Sequence, residues 1–136
     1  MQDLSGARAI VDTCNSIDKL RRVYNWSAMK RSGFLTEPAR TSDYLEAPGS
    51  DGYRGVHLIL SYKGRKSAWD GLFIEVQLRT REQHAWATTV EILETVRKQR
   101  LRTAQGDASW KCFLGLMSSA IAIGEGQPTA TPRPES

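Results

Sequence analysis

The sequence predicts an α/β chain of the α+β kind: a mixed, largely antiparallel β-sheet flanked by helices. Three observations carry this. Leu72, Ile74, Val76 and Leu78 alternate with Phe73, Glu75, Gln77 and Arg79, which is the period-two pattern of a strand with one aliphatic and one polar face. Val56, Leu58, Leu60 and Tyr62 alternate in the same way with Gly55, His57, Ile59 and Ser61, and the polar, turn-rich stretch 63–71 joins the two runs as an antiparallel hairpin. Apolar residues recur at helical spacing over 17–31, 80–102 and 110–123. A chain of 136 residues suits one domain with one core, placed here at 1–124. Its 40% hydrophobic and 25% charged composition is ordinary for a soluble globular protein.

Taken in order, Ala7–Val11 is short, partly β-branched and preceded by Gly6, so it reads as a first strand, with Asp3 just ahead of it. Asn15 or Ser16 is expected to cap a helix over Ile17–Arg31, with Ile17, Leu20, Val23, Tyr24 and Ser27 facing inward and Gly33 stopping it. Lys19, Arg21, Arg22, Lys30 and Arg31 fall on its outer side, as a solvated face or as an attraction for phosphates. Phe34–Gly52 reads as a loop, with Pro38, Pro48 and the turn Gly49-Ser-Asp-Gly52. An irregular stretch of that length in a small domain is mobile or functional. The strands Tyr53–Tyr62 and Gly71–Thr80 follow. Thr80, with Gln83 three residues on, forms the signature of a capping box. The helix it starts runs to about Arg102, with Trp86, Val90, Leu93 and Val96 inward and His84, Ala87, Thr88 and Glu91 on another face. Gln105-Gly-Asp107 breaks it, and a helix over Trp110–Ile123 follows, apolar at Trp110, Phe113, Leu114, Met117 and Ile121. The end of the chain, 125–136, carries three prolines and, from Gln127 on, no large apolar residue; it reads as a disordered tail.

The net charge of +4 favours anionic ligands such as nucleotides or RNA without choosing between them. Cys14 and Cys112 lie far apart with no metal-type spacing, which suits two reduced thiols in a cytoplasmic protein. The first residues lack the regions of a signal peptide. The apolar run Phe113–Ile123 is too short to span a bilayer, so no membrane partner is expected. There is no Walker-type loop, nucleophile elbow or zinc pattern. If their strands are neighbours, Asp3 and Glu75 can converge on a hard divalent cation such as Mg2+, and a carboxylate there can take a proton from an attacking hydroxyl; otherwise Asp3 starts a turn and Glu75 is solvated. His57 can reach a phosphate or orient Glu75, or be structural. Tyr53 can stack a purine base, or form a core edge. Arg79 offers a fork for phosphate or carboxylate, or a surface salt bridge.

Gly52-Tyr-Arg-Gly-Val-His57, then Ile74-Glu-Val-Gln-Leu-Arg-Thr80, then Gln83-His-Ala-Trp-Ala87 closely resemble the synthetase domain of the RelA/SpoT family of alarmone, or (p)ppGpp, synthetases. Asp3-Leu-Ser-Gly-Ala-Arg-Ala-Ile-Val11 resembles the family's first metal-binding strand. Asp43-Tyr44 with Pro48 resembles the loop leading to the tyrosine. Met117-Ser-Ser-Ala-Ile121 with Glu125-Gly126 is similar to the end of some small single-domain members. The resemblance implies a nucleotidyltransferase-like synthetase fold and a GTP pyrophosphokinase that moves pyrophosphate from ATP to the 3′-hydroxyl of GDP or GTP. It implies Asp3 and Glu75 as Mg2+ ligands, Glu75 also as the base, and Tyr53 as the guanine platform. His57, Gln77 and Arg79 would lie around the acceptor nucleotide and Arg8 near ATP, with His84 and Glu91 completing the pocket. Assembly into a homo-oligomer is a further expectation.

The departures from the family pattern also set expectations. Members usually carry an arginine- and lysine-rich helix and loop ahead of the first strand to hold ATP, and this chain starts after them, as an N-terminally truncated member would. Two lysines common near the Asp-Tyr pair and the proline are replaced by Ser42 and Gly49, with Arg40 as a substitute for one of them. The alternatives are therefore a pyrophosphokinase toxin acting on the tRNA 3′ end or on adenine nucleotides, and a guanine-nucleotide-binding remnant without catalysis.

Overall fold

The computed structural model describes residues 5–25, 40–63, 67–97 and 108–129. The elements are β1 (Ser5–Val11), α1 (Cys14–Asn25), β2 (Arg40–Asp43), β3 (Val56–Ser61), β4 (Phe73–Thr80), α2 (Arg81–Arg97) and α3 (Ala108–Gly124). The four strands form one sheet in the order β1-β4-β3-β2. β1 runs parallel to β4, from Ser5 opposite Ile74 to Val11 opposite Thr80. β3 runs antiparallel to β4, from Val56 opposite Leu78 to Ser61 opposite Phe73. The sheet is mixed, as expected. Contacts divide the chain into two compact units, one of residues 1–42 and 56–80 and the other of residues 43–55 and 81–136.

In the first unit, the period of two sorts the side chains onto two faces. Val56, Leu58 and Leu60 stand opposite Leu78, Val76 and Ile74 on one of them, and all but half-buried Ile74 are buried. α1 packs against β1 and β4. Its Ile17 is fully buried, a side-chain burial worth roughly 2 kcal/mol. The helix begins three residues before the expected Ile17, and its cap is Thr13 in place of Asn15 or Ser16. Thr13 Oγ1 accepts the Ser16 backbone N–H at 3.2 Å, the usual service of a threonine cap. Ser16 is therefore the third helical residue. Val23, expected inward, is 55% exposed, because the buried stripe follows Cys14, Ile17 and the half-buried Leu20 and Tyr24. The helix end expected at Arg31 and Gly33 lies outside the described residues.

The stretch 34–52 was expected to be irregular throughout, yet it supplies β2. Arg40-Thr-Ser-Asp43 has no apolar residue, so periodicity could not signal it; as the last strand in the sheet order it needs no buried face. The second expected strand starts at Val56 and not at Tyr53. Its hairpin to β4 closes where Tyr62 N–H meets Leu72 O and Gly71 N–H meets Tyr62 O, at 2.8 and 2.9 Å.

In the second unit, Trp86, Ala87 and Val90 of α2, Leu114 of α3 and Tyr53 form one buried cluster, with Tyr44, Leu93, Trp110 and Ile121 partly buried against it. The Trp86 indole N–H donates to Leu114 O at 2.8 Å. α3 does not face inward with Phe113 and Met117, which are exposed. Its buried residues are Leu114, Gly115, Ser118, Ser119 and Ala122, a stripe of mostly small side chains. Val96, expected in the α2 stripe, is also exposed. The tail expected from residue 125 is tied down at its start, where Gln127 N–H donates to Ala122 O at 2.8 Å. Among the described residues no helix is long and apolar enough to cross a membrane.

Candidate functional site

The polar face of the first unit's sheet is set by strand register. Arg8 of β1, Gln77 of β4 and His57 of β3 are direct neighbours in one row across three strands. Gly6, Glu75 and Ile59 make the next row. Gly6 has no side chain to crowd the carboxylate, and among the described residues a Cβ built there would meet only Glu75 O, at 3.8 Å. The described residues of β1 therefore leave the surface beside Glu75 open.

Gln77 ties the face together. Its Oε1 accepts from Arg79 Nη2 at 3.0 Å and from Arg8 Nε at 3.4 Å. Its Nε2 donates to Glu75 Oε1. With two guanidinium donors on the oxygen side, the amide must present its NH2 to the carboxylate. His57 Nδ1 lies 3.7 Å from the same carboxylate oxygen, an attraction that needs the protonated imidazole. The Glu75 and His57 side chains remain 23% and 19% exposed, whereas Arg79 is buried and Arg8 exposed. The face thus combines one accessible carboxylate, a histidine and two guanidinium groups. A carboxylate so placed can accept a proton or hold a hard cation, and the guanidinium groups can meet anionic oxygens.

Five of the expected residues, Arg8, His57, Glu75, Gln77 and Arg79, are brought together here. Asp3 lies outside the described residues. Arg40 is the exposed first residue of β2. Tyr53, His84 and Glu91 belong to the second unit. Tyr53 has the core environment that its position after a glycine turn also allowed: it is 5% exposed, with its ring edge-to-face against Tyr44 at 5.3 Å. Offering a ring face to a base requires that packing to rearrange. His84 is half-buried, and its Nδ1 has no hydrogen-bond partner among the described residues. Glu91 is exposed on α2.

Among the described residues no three His, Cys, Asp or Glu side chains gather as a metal cage. Magnesium does not need one: it takes one or two carboxylates and fills its other positions with water and phosphate oxygens. A single open carboxylate at Glu75 fits that donor set. Sequence reasoning passed over Arg54, which is 3% exposed and donates from Nε to Ser118 Oγ at 3.2 Å and from Nη2 to Pro128 O at 2.9 Å. Only its place between Tyr53 and Gly55 pointed to it.

Residues 1–94 match the family model described as "Region found in RelA / SpoT proteins". The fold is similar to that of small alarmone synthetase 1 from Bacillus subtilis bound to its product pppGpp, with TM-score 0.73 and 22% identity over 93% of this chain and 60% of that one. It is similar to small alarmone synthetase 2 from Bacillus subtilis, with TM-score 0.73 and 19% identity over 93% of this chain and 63% of that one. It is also similar to a GTP pyrophosphokinase family protein from Streptococcus pneumoniae, with TM-score 0.69 and 17% identity over 93% of this chain and 61% of that one. The chain therefore spans about three-fifths of the length of these structures. No curated protein matches it.

Proposed function

We propose a function from one premise: the chain belongs to the RelA/SpoT family. In this reading it transfers pyrophosphate from ATP to the 3′-hydroxyl of GDP or GTP. The 3′-oxygen attacks the β-phosphorus of ATP, the bond from that phosphorus to the α-phosphate bridge oxygen breaks, AMP leaves, and the hydroxyl proton passes to Glu75. The observation that carries the reading is the polar sheet face, where Glu75, Gln77, His57, Arg8 and Arg79 converge. Phosphoryl-type transfer asks a protein for alignment and spread-out positive charge more than for covalent help.

Each residue has a defined task. Glu75 accepts the proton and, with Asp3, would hold Mg2+. When bound, that ion would neutralise charge on the transferring phosphates. Gln77 fixes the Glu75 carboxylate. Arg8 and Arg79 meet phosphate oxygens, with Arg8 on the ATP side. His57 donates toward the acceptor. Tyr53 carries the guanine once its ring is freed from Tyr44. Small alarmone synthetase 1 from Bacillus subtilis, seen bound to pppGpp and, in another structure of similar fold, to AMPCPP, supports nucleotides as the substrate class.

A second acceptor is favoured by one observation: Lys19 and Arg22 are exposed on α1, a basic surface suited to the tRNA 3′ end. One experiment tests both acceptors. Purified protein is incubated with Mg2+, ATP labelled at the γ-phosphate, and GDP, GTP, ADP or tRNA in turn. Label in ppGpp or pppGpp with equimolar AMP is expected. Label in tRNA or in an adenine nucleotide would move the function to the second acceptor class. Guanine-nucleotide binding without AMP release would reduce the chain to a binding module.

A further inference from the structure

The buried Arg54 and the segment Glu125–Pro128 lie outside the chemistry assigned above, yet they are joined by hydrogen bonds to the loop that carries Tyr53. The loop is internally tied, with Gly52 N–H to Gly49 O at 2.9 Å, Gly49 N–H to Tyr53 O at 3.0 Å and Tyr53 N–H to Asp51 Oδ1 at 2.9 Å. It sits hard against the helices. A Cβ on Gly52 would lie 3.1 Å from both the Trp86 ring and Ser118 Cβ, and 3.5 Å from Gly115 Cα. Gly52 also has φ +90°, which suits glycine.

A relay of donors then crosses from the loop to the end of the chain. Arg54 Nε donates to Ser118 Oγ, and Ser118 Oγ donates in turn to Gly52 O. Arg54 Nη2 donates to Pro128 O. The segment is anchored again where Gln83 Nε2 donates to Glu125 Oε2 at 2.8 Å. The crevice lined by Gly52, Arg54, Gln83, Trp86, Ser118 and Ile121 is too tight to admit a water, so Arg54 here is packed and is not a receptor for a ligand. With these ties made, Tyr53 is 5% exposed.

We propose that Glu125–Pro128 is a latch and Arg54 its catch, a positioning residue that holds the Tyr53 loop in its covered state. Releasing the latch uncovers the Tyr53 ring. The inference rests on the reading above only where it concerns the nucleotide: if Tyr53 carries the base, the latched state is not competent, and apparent affinity is scaled by the fraction unlatched.

Two variants break the catch from opposite sides: a chain ending at Gln127, which removes Pro128 O and keeps Glu125, and Arg54→Met. Nitration by tetranitromethane, located by mass spectrometry of the peptides, reads tyrosine exposure, with Tyr24 and Tyr62 as internal controls in the other unit. Loss of one charge-assisted hydrogen bond in the shortened chain and of two in Arg54→Met predicts about a tenfold or greater rise at Tyr53 in both variants, with Tyr24 and Tyr62 unchanged. Tyr53 staying at its wild-type level in both variants would overturn the latch. So would an equal rise at all three tyrosines in both, because the segment would then support the whole fold. Calorimetry with GDP on the same variants addresses the nucleotide separately. A matching rise in affinity is expected. A Tyr53 that becomes exposed with no change in GDP affinity, or unlatched variants that bind no GDP, leaves the latch standing and removes Tyr53 from base recognition.

Discussion

In the sheet-borne unit, Arg8, Gln77 and His57 stand in one row because the backbone ladders of three strands set them there. In the helical unit, Tyr53 and Arg54 hold their places because Gly52, Gly115 and Ser118 are small enough to let a loop lie against a helix. The first arrangement is shared among many backbone hydrogen bonds and leaves its side chains half free. The second depends on a few atoms in close packing. A side-chain change on the sheet face should therefore cost activity and little stability, and a change at the loop seat should cost stability first.

The largest expected effect sharpens the first half of that contrast. Glu75→Gln keeps the size and the amide-compatible hydrogen bonding of a partly exposed side chain but removes the base. AMP release in the presence of GDP should fall about a thousandfold, while the melting temperature stays within about 2 °C. Next in size, Gly52→Ala combines a positive φ with two 3.1 Å contacts and should cost about 2–4 kcal/mol in urea unfolding. Gly71→Ala is the control for it. Its φ is +83° but, among the described residues, nothing lies within 4 Å of the new Cβ, so the cost should be about 1–2 kcal/mol, from the backbone alone. A Gly71 variant as damaged as the Gly52 variant would break the contrast, since close packing at the loop seat would then add nothing. Smallest of all, Val96→Ala changes a side chain that is 74% exposed and should shift stability by less than about 0.5 kcal/mol.

The same difference between the units governs what could be read from the chain. Strand alternation in 56–61 and 73–80 is a direct imprint of two faces, so the hairpin, its core side and the row of Glu75, Gln77 and Arg79 are legible in the sequence. The parallel neighbour β1 was expected as a strand, although only the register shows Gly6 beside Glu75. β2 was hidden, because a polar edge strand has no buried face to leave a pattern. The α3 stripe was legible in part: Leu114, Trp110 and Ile121 pack on the core as expected. Hydropathy also favoured Phe113 and Met117, whereas the rest of what the helix buries is a set of small residues over which a loop passes. The start of α1 was missed because Cys14, which is buried, belongs to the apolar face without looking apolar in the pattern. The packing of Tyr53 was legible only as one of two alternatives. The burial of Arg54 was not legible at all, since its partners Ser118 and Pro128 are 64 and 74 residues away.

The claim on which the account turns is that nucleotide phosphates meet the polar face built by β1, β4 and β3. Its most direct test is the NMR response of the Gln77 side-chain amide and the His57 imidazole to a non-hydrolysable ATP analogue and GDP with Mg2+. The account predicts large, saturable shifts at both groups and at the Arg8 and Arg79 Nε–H signals, with the methyl groups of Leu58 and Leu60, on the opposite face of β3, barely moved. Saturable binding that leaves those four side chains unshifted would contradict it.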